Sequence, residues 1–179
     1  MTEPIQQPPF RADHVGSLLR PERIKKARSD FEKGLIERAD LRTIEDEEIT
    51  RIVEEQKKAG LQAVTDGELR RGWWHFDFLE GLDGVEGYTA EDGIQFQGKQ
   101  TKSRAIKVTG KLGFTDHPML EDFSFLQKAA GQHTAKMTIP SPSMLHFRGE
   151  NDSTVYKNEE DVVTYLAEAY KKAIQAFYE

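Results

Sequence analysis

The residues best suited to chemistry follow an apolar run in the stretch AVTDGELRRGWWHFDFLEGLDG, residues 63–84. Asp66 and Glu68 flank a glycine, and Arg70 and Arg71 come directly after them. Because glycine lets the chain turn sharply, one carboxylate can face a site while the other braces the loop. A buried glutamate that faces a pocket binds an ammonium group or acts as a general acid or base. The same spacing equally predicts a solvated turn in which the two arginines pair with the acids.

Three other segments carry polar groups that suit a ligand. In HVGSLL, residues 14–19, Gly16 and Ser17 offer backbone N–H and hydroxyl donors for a carboxylate, although Gly-Ser is also typical of a plain turn. KMTIPSPSML, residues 136–145, has two stiffening prolines and two serine hydroxyls, as a binding loop or a rigid connector would. TKSRAIK, residues 101–107, suits an acidic ligand tail, but such a run is also usual on a solvent-facing strand. Pattern alone leaves each pair of readings open.

The histidines and cysteines predict no metal site built from this chain alone. There is no cysteine, so disulfides, a thiolate nucleophile and thiolate metal ligands are all excluded within these residues. The five histidines show neither HxH nor HExxH spacing. They are His14, His75, His117, His133 and His146.

Charge and hydropathy exclude several classes of partner. The formal net charge is −6, so no basic excess exists to attract nucleic acid or an anionic membrane surface. No apolar run approaches the ~20 residues of a membrane span, and the N-terminus lacks a signal-peptide core. We therefore expect a cytoplasmic protein. Residues 1–10, rich in Pro and Gln, are expected to form a flexible arm, and residues 11–179 a domain.

Helical periodicity and end signals predict the elements that position these residues. One helix is expected from Pro21 to Gly34 and a second from Thr43 to Ala59, with acids in its first turn and lysines in its last. A short aromatic helix follows at 72–79, and another begins near residue 116. The last helix is capped by Asn158 and reaches Glu179 without a stop signal, as in a chain cut off before its fold is complete.

The strands alternate with these helices and predict parallel β/α units. Buried strands are expected before HVGSLLRP, before TDGELRR and before IPSPSM, and an antiparallel ribbon at residues 93–114. Ligands of such folds bind beyond the carboxyl ends of the parallel strands, where all three polar segments lie. Three units make the first part of a (β/α)₈ TIM barrel, since the whole barrel needs about 250 residues. The open edge of such a partial sheet would need to be covered, and a second copy of the chain in a homo-oligomer could cover it.

Together FRADHVGSLLRP, AVTDGELRRGWWHFDF and MTIPSPSML, in this order and at these separations, resemble the cobalamin-independent methionine synthase family. The similarity is to its short, single-barrel members, the methyltetrahydropteroyltriglutamate–homocysteine methyltransferase-like proteins. It runs from about Phe10 to the end of the chain and covers the first half of the catalytic barrel. The resemblance implies zinc-dependent methyl transfer to the thiol of homocysteine in methionine biosynthesis.

The resemblance also implies roles for particular residues. Val15, Gly16 and Ser17 match the segment that holds the amino-acid end of homocysteine, and Glu68 matches the acid that binds its ammonium group. Asp66, Arg70 and Arg71 would support Glu68 from behind. Arg104 and Ala105 match the pair that contacts the folate.

The residues that the family uses to bind zinc and to contact the pterin are not found in this chain. The family's zinc ligands, a His, two Cys and a Glu, come from later strands, and none of them maps onto these residues, so the chain alone is expected to be inactive. Where the family has a tryptophan for the pterin, this sequence reads His146, Phe147 and Arg148. The methyl donor is therefore methyltetrahydropteroylglutamate or another compound.

Other functions remain open at this point. A related enzyme could use another thiol, such as coenzyme M, or catalyse a decarboxylation like that of uroporphyrinogen decarboxylase, which needs no zinc. A half-barrel without activity could bind a partner or dimerise through its open edge. The third alternative is an α/β domain whose loops only look functional.

Overall fold

The computed structural model describes residues 14–90, 95–96, 99–100, 103–151 and 154–179. The predicted arm, residues 1–10, and part of the predicted ribbon tip lie outside the described residues. The described residues form two compact units: one of residues 14–71 and 121–138, the other of the described residues within 72–120 and 139–179.

In the first unit two helices precede a short parallel strand pair. Helix α1 is Glu22–Glu32 and helix α2 is Arg38–Lys58. Strand β1, Ala63–Val64, pairs in parallel with β6, Thr134–Ala135. The polar segment TDGELRR therefore leaves the carboxyl end of β1, as predicted, and its neighbour β6 ends at Ala135, so that KMT, which was predicted to belong to the strand, already lies in the following loop.

The first unit is held together by apolar side chains from α1, α2, β1 and the far end of helix α4, Pro118–Ala130. Ile24, Ile49, Val53, Val64 and Leu126 are completely buried. The helical members of this set come from the apolar faces that the periodicity predicts, and their burial against Val64 of β1 fixes α1 and α2 on the strand.

Helix α2 begins five residues before the predicted start at Thr43. Its first turn is closed by a capping box, in which the side chains of Glu37 and Asp40 accept hydrogen bonds from each other's backbone N–H groups. This satisfies two of the four amide donors that a helix start leaves free. Gly60, with a φ of 84°, follows the last turn as expected for a helix C-terminus.

The second unit contains the antiparallel ribbon and the last helix. Strand β2, Asp83–Ala90, pairs antiparallel with β5, Ser103–Gly113, and β5 pairs in parallel with β7, Gly149–Asn151. Between them lie β3, Gln95–Phe96, and β4, Lys99–Gln100, which form their own antiparallel pair. The predicted ribbon is thus present, but its first strand was not predicted, because DGVEGYTA offers few apolar residues.

Three helices complete the second unit. Helix α3 is Phe76–Leu79, α5 is Ser143–Arg148 and α6 is Glu159–Tyr178. Asn158 caps α6 as predicted, since its side chain accepts a hydrogen bond from the N–H of Asp161 at 2.8 Å. Helix α5 begins inside the segment predicted to be a loop or connector, residues 136–145, and extends three residues beyond it.

His117 shows how the second unit uses a buried histidine for structure. Its Nε2 lies 2.9 Å from the carbonyl oxygen of Phe78, and its Nδ1 accepts the N–H of Met119 at 3.1 Å. The ring packs so closely on Gly81 that a Cβ there would lie 2.3 Å from Nε2. His117 therefore caps the start of α4 in its neutral, Nε2-protonated form. The α/β class, with parallel strands and an inserted antiparallel ribbon, is confirmed.

Candidate functional site

Glu68 lies in a turn whose backbone is held in an unfavourable conformation. With a φ of 55°, it is the one non-glycine residue of positive φ among the described residues, and Gly67 before it has a φ of 66°. The carboxylate of Asp66 accepts the N–H of Glu68 at 2.9 Å. A left-handed conformation costs a non-glycine residue about 1 kcal/mol or more, and such strain is concentrated at functional sites.

The side chain of Glu68 points into the protein. It is 9% exposed, and its Oε1 accepts a hydrogen bond from Oγ1 of Thr138 at 2.7 Å. Nη1 of Arg71 lies 3.5 Å from the same oxygen. The predicted carboxylate thus faces the loop that follows β6, inside the first unit.

Gly16 belongs to the same site. Its carbonyl oxygen accepts a hydrogen bond from the hydroxyl of Thr65 at 2.9 Å. Leu18, two residues further along the loop, donates its N–H to the carbonyl of Gly67 at 3.0 Å. A Cβ on Gly16 would lie 3.8 Å from Oε1 of Glu68 and 3.2 Å from Cγ2 of Thr138, and the φ of Gly16 is 145°. Both the space and the backbone conformation therefore require glycine at this position.

Gly16 and Glu68, which were predicted from two separate segments of the sequence, are therefore brought together. Val15 and Ser17, on either side of Gly16, are exposed and extend this loop toward solvent. Residues 14–21 form no strand, and the residues before them lie outside the described part of the chain.

Two of the three predicted supporting residues contact Glu68. Asp66 is 4% exposed, and burial raises the pKa of its carboxyl against the hydrogen bond from Glu68 and the charge of Arg71. Arg71, equally buried, also donates from Nη2 to the carbonyl of Thr138 at 2.6 Å. Arg71 therefore joins the two polar loops that follow β1 and β6.

Arg70 is directed elsewhere. Its side chain is 6% exposed, donates to Asp46 and lies at ion-pair distance from Glu45, 3.5 Å, and Asp122, 3.1 Å. Its guanidinium carbon also lies 5.1 Å from the ring centroid of Phe125. Arg70 thus fixes the turn to α2 and α4.

Arg104 and Ala105, the residues predicted to contact folate, lie on β5 in the second unit, opposite Thr89 and Tyr88 of β2. Arg104 forms a two-pronged ion pair with Glu80, with Nε 2.6 Å from Oε1. The hydrogen bonds that Arg104 donates to Glu80 raise the pKa of the Arg104 guanidinium, so it stays charged. Gly87, Tyr88, Thr89 and Arg104 line a cavity of about 230 Å³.

Two contacts of these sites were not predicted. Thr138 lies in the segment KMTIPSPSML, but the sequence analysis drew attention to its serines and prolines. Glu80 carries no signal, since a glutamate after a short helix is ordinary. The absence of a side chain at Gly87 leaves room for the carboxylate of Glu80, because a Cβ on Gly87 would lie 2.4 Å from Oε1 of Glu80.

The described residues form neither a cluster of metal ligands nor a membrane-spanning helix. Across the part of the chain that the structure describes, no three His, Asp or Glu side chains are grouped as metal ligands would be. Nor is any helix in that part both long and apolar enough to cross a membrane.

Comparison with known proteins relates the chain to longer ones. No protein-family profile matches it. YxjG of Bacillus subtilis, an uncharacterized protein, is 60% identical over 175 residues, which are 97% of this chain and 46% of YxjG. A methionine synthase of Sulfolobus acidocaldarius is 24% identical over 163 residues, 90% of this chain and 46% of that enzyme. The chain spans about half the length of the curated relatives it matches.

Solved structures give the same correspondence. A Listeria monocytogenes protein, provisionally assigned as a vitamin-B12 independent methionine synthase, has a TM-score of 0.82 and 52% identity, over 95% of this chain and 48% of that one. A B12-independent methionine synthase from Shewanella, solved in complex with selenomethionine, has a TM-score of 0.62 and 20% identity, over 80% of this chain and 41% of that one. The second likeness concerns the fold alone. The predicted resemblance to cobalamin-independent methionine synthases is confirmed.

Proposed function

We propose that this chain, whose homologues and structural neighbours are cobalamin-independent methionine synthase-like proteins, forms the amino-acid-binding half of a methyltransferase. Its substrate would be homocysteine, and the transfer of a methyl group to the homocysteine sulfur would make methionine.

The observation that carries this proposal is the buried carboxylate of Glu68 beside the backbone of Gly16. Homocysteine is a zwitterion, so its ammonium group needs an anion, and its carboxylate needs N–H or hydroxyl donors. Glu68, 9% exposed in its side chain, supplies the anion, and the loop of Val15, Gly16 and Ser17 supplies the donors. A charge pair of this kind is strong because little water competes for it.

Support for an amino-acid ligand also comes from the Shewanella protein, which was crystallised with selenomethionine, an analogue of the methylated product. The methyl donor would be a methyltetrahydropteroylglutamate, with Arg104 and Ala105 as its contacts. Arg104 keeps a fixed, charged guanidinium through its pair with Glu80, which suits an anionic folate tail.

Zinc would belong to the full-length enzyme, where it would bind the substrate sulfur as a thiolate. The described residues do not fit it, since they contain no grouped ligand set and the chain has no cysteine. Its ligands would therefore come from other sequence, and the role that we assign to this chain is to bind and orient the amino-acid end of the substrate.

The test is homocysteine binding by the full-length gene product, measured by calorimetry. Glu68→Gln keeps the shape of the side chain but removes its charge, so affinity should fall at least about tenfold, as expected for loss of a buried charge pair. Glu54→Gln is the matched control, because Glu54 is a half-exposed acid that pairs with Lys57 on the outside of α2. Equal affinity in the Glu68 variant and the control would remove Glu68 from the binding site and refute the proposal.

A further inference from the structure

Thr138 stands between the two predicted elements of the amino-acid site. It follows β6 by three residues, and its side chain contacts both of them: Oγ1 donates to Oε1 of Glu68, and Cγ2 lies 3.2 Å from where a Cβ of Gly16 would be. Neither the spacing of the motifs nor the resemblance assigns it a role.

The two oxygens of Glu68 have different surroundings. Oε1 takes both contacts that the carboxylate makes within the described residues: the hydroxyl of Thr138 at 2.7 Å and Nη1 of Arg71 at 3.5 Å. Oε2 has no such partner among those residues, although the side chain is nine-tenths buried. Because Oε2 is not among the fully buried side-chain atoms that lack a hydrogen-bond partner, it is accessible, and the donor of a ligand can reach it.

Thr138 is itself held in place. Its carbonyl accepts Nη2 of Arg71 at 2.6 Å, and Arg71 is anchored in turn by its own backbone carbonyl, which accepts Nη1 of Arg28 at 3.0 Å. The hydroxyl therefore projects from a fixed backbone, and the hydrogen bond sets the rotation of the carboxylate rather than following it.

We propose that Thr138 is a positioning residue: by binding Oε1 of Glu68, it turns Oε2 toward the ammonium group of the amino-acid ligand. This inference rests on the proposed function, because the ligand that Oε2 receives is the ammonium group of homocysteine. Thr138 does not touch that group; it acts through Glu68, and it raises affinity by removing the freedom of the carboxylate before binding.

The experiment compares Thr138→Val, which keeps the shape without the hydroxyl, with Thr138→Ser, which keeps the hydroxyl without the methyl. Each variant of the full-length gene product is titrated with homocysteine and with 4-mercaptobutanoate, the same thiol acid without its ammonium group. Thr138→Val should bind homocysteine about tenfold more weakly, and Thr138→Ser within about threefold of the unchanged protein. Affinity for 4-mercaptobutanoate should be the same in all three proteins.

The result separates positioning from general damage. If Thr138→Val weakened both ligands equally, the hydroxyl would be supporting the loop as a whole, and the inference would be wrong. If Glu68→Gln lost affinity while Thr138→Val bound homocysteine normally, the inference would fail and the proposed function would stand. If neither variant lost affinity, both would fall.

Discussion

Replacing Arg70 with methionine should reveal how much the turn after β1 depends on one buried cation. The guanidinium of Arg70 is surrounded by three carboxylates: those of Asp46, Glu45 and Asp122. Two other arginines share these acids. Arg28 lies 3.6 Å from Glu45, and Arg42 binds Asp122. Methionine fills a similar volume, so the change removes the charge with little loss of packing.

The expected loss of unfolding free energy depends on which carboxylate loses its cation. Asp122 and Asp46 keep Arg42 and are partly exposed, whereas the side chain of Glu45 is 4% exposed and, among the described residues, would keep Arg28 at 3.6 Å as its one ion-pair partner. Removing one member of a buried ion pair costs about 3–5 kcal/mol, because the other charge stays buried. Since Arg28 remains, we expect a loss at the lower end, about 3 kcal/mol of unfolding free energy at pH 7.

The loss should depend on pH. Burial raises the pKa of Glu45 above its ordinary value, and the charges of Arg70 and Arg28 oppose this rise. The folded state therefore binds a proton on Glu45 more tightly than the unfolded state does. The stability that Glu45 contributes is present below its unfolded pKa and is lost as pH rises through its folded pKa. Without Arg70 that folded pKa rises further, so the penalty should be full at pH 7 and smaller near pH 4.5.

The assay is urea unfolding followed by far-ultraviolet circular dichroism at both pH values. Lys25→Met is the control, since Lys25 pairs with Glu22 on the outside of α1, both side chains are half-exposed or more, and such surface pairs contribute less than about 1 kcal/mol. Adding Glu45→Gln to Arg70→Met should restore most of the loss at pH 7. The reasoning is refuted if Arg70→Met lowers the unfolding free energy no more than the control does. It is also refuted if neither lowering the pH to about 4.5 nor adding Glu45→Gln reduces the loss.

Two backbone predictions complete the set. Gly16→Ala should cost about 2 kcal/mol, because it combines a positive φ with a Cβ 3.2 Å from Cγ2 of Thr138. Gly34→Ala, with a φ of 70° but no atom within 4 Å of the Cβ, should cost about 1 kcal/mol, and equal losses in urea unfolding would disprove a role for the contact. Asn158→Ala should lower the unfolding free energy by about 1 kcal/mol, because it removes the side chain that accepts the N–H of Asp161. Asn158→Ser, which keeps a capping oxygen, should recover most of this loss. An unchanged melting temperature for the alanine variant would contradict the prediction.

Local patterns in the sequence were enough to predict the described helices other than α5, and the place of the polar loops. Asn158 starts α6, Gly34 follows α1, and TDGE follows a buried strand, because caps, breakers and apolar periodicity act over a few neighbouring residues. Strand β2 escaped prediction for the same reason. Its residues gain strand structure by pairing with β5, as Val85 does with Val108, and that partner lies far along the chain.

The partners within the site could not be read from the sequence. Thr138 and Glu68 are 70 residues apart, and nothing local distinguishes this threonine from others near strand ends. Arg70 and Arg71 are adjacent and identical in type, yet Arg71 joins Glu68 while Arg70 joins α2 and α4. Which side each takes depends on the course of the turn in three dimensions, and this is fixed by long-range contacts.

The run of acids and arginines after β1 is best explained by the rigidity that it gives Glu68. Arg20 donates to the carbonyls of Glu68 and Arg71, and Arg28 donates to those of Leu69 and Arg71. The chain bends here through two residues of positive φ, Gly67 and Glu68, and each of these carbonyls accepts a hydrogen bond from a guanidinium. A turn held in this way keeps a strained conformation that a solvated loop would relax. The strain has a purpose only if the direction of one carboxylate matters, which a plain charged turn would not require and a ligand site does.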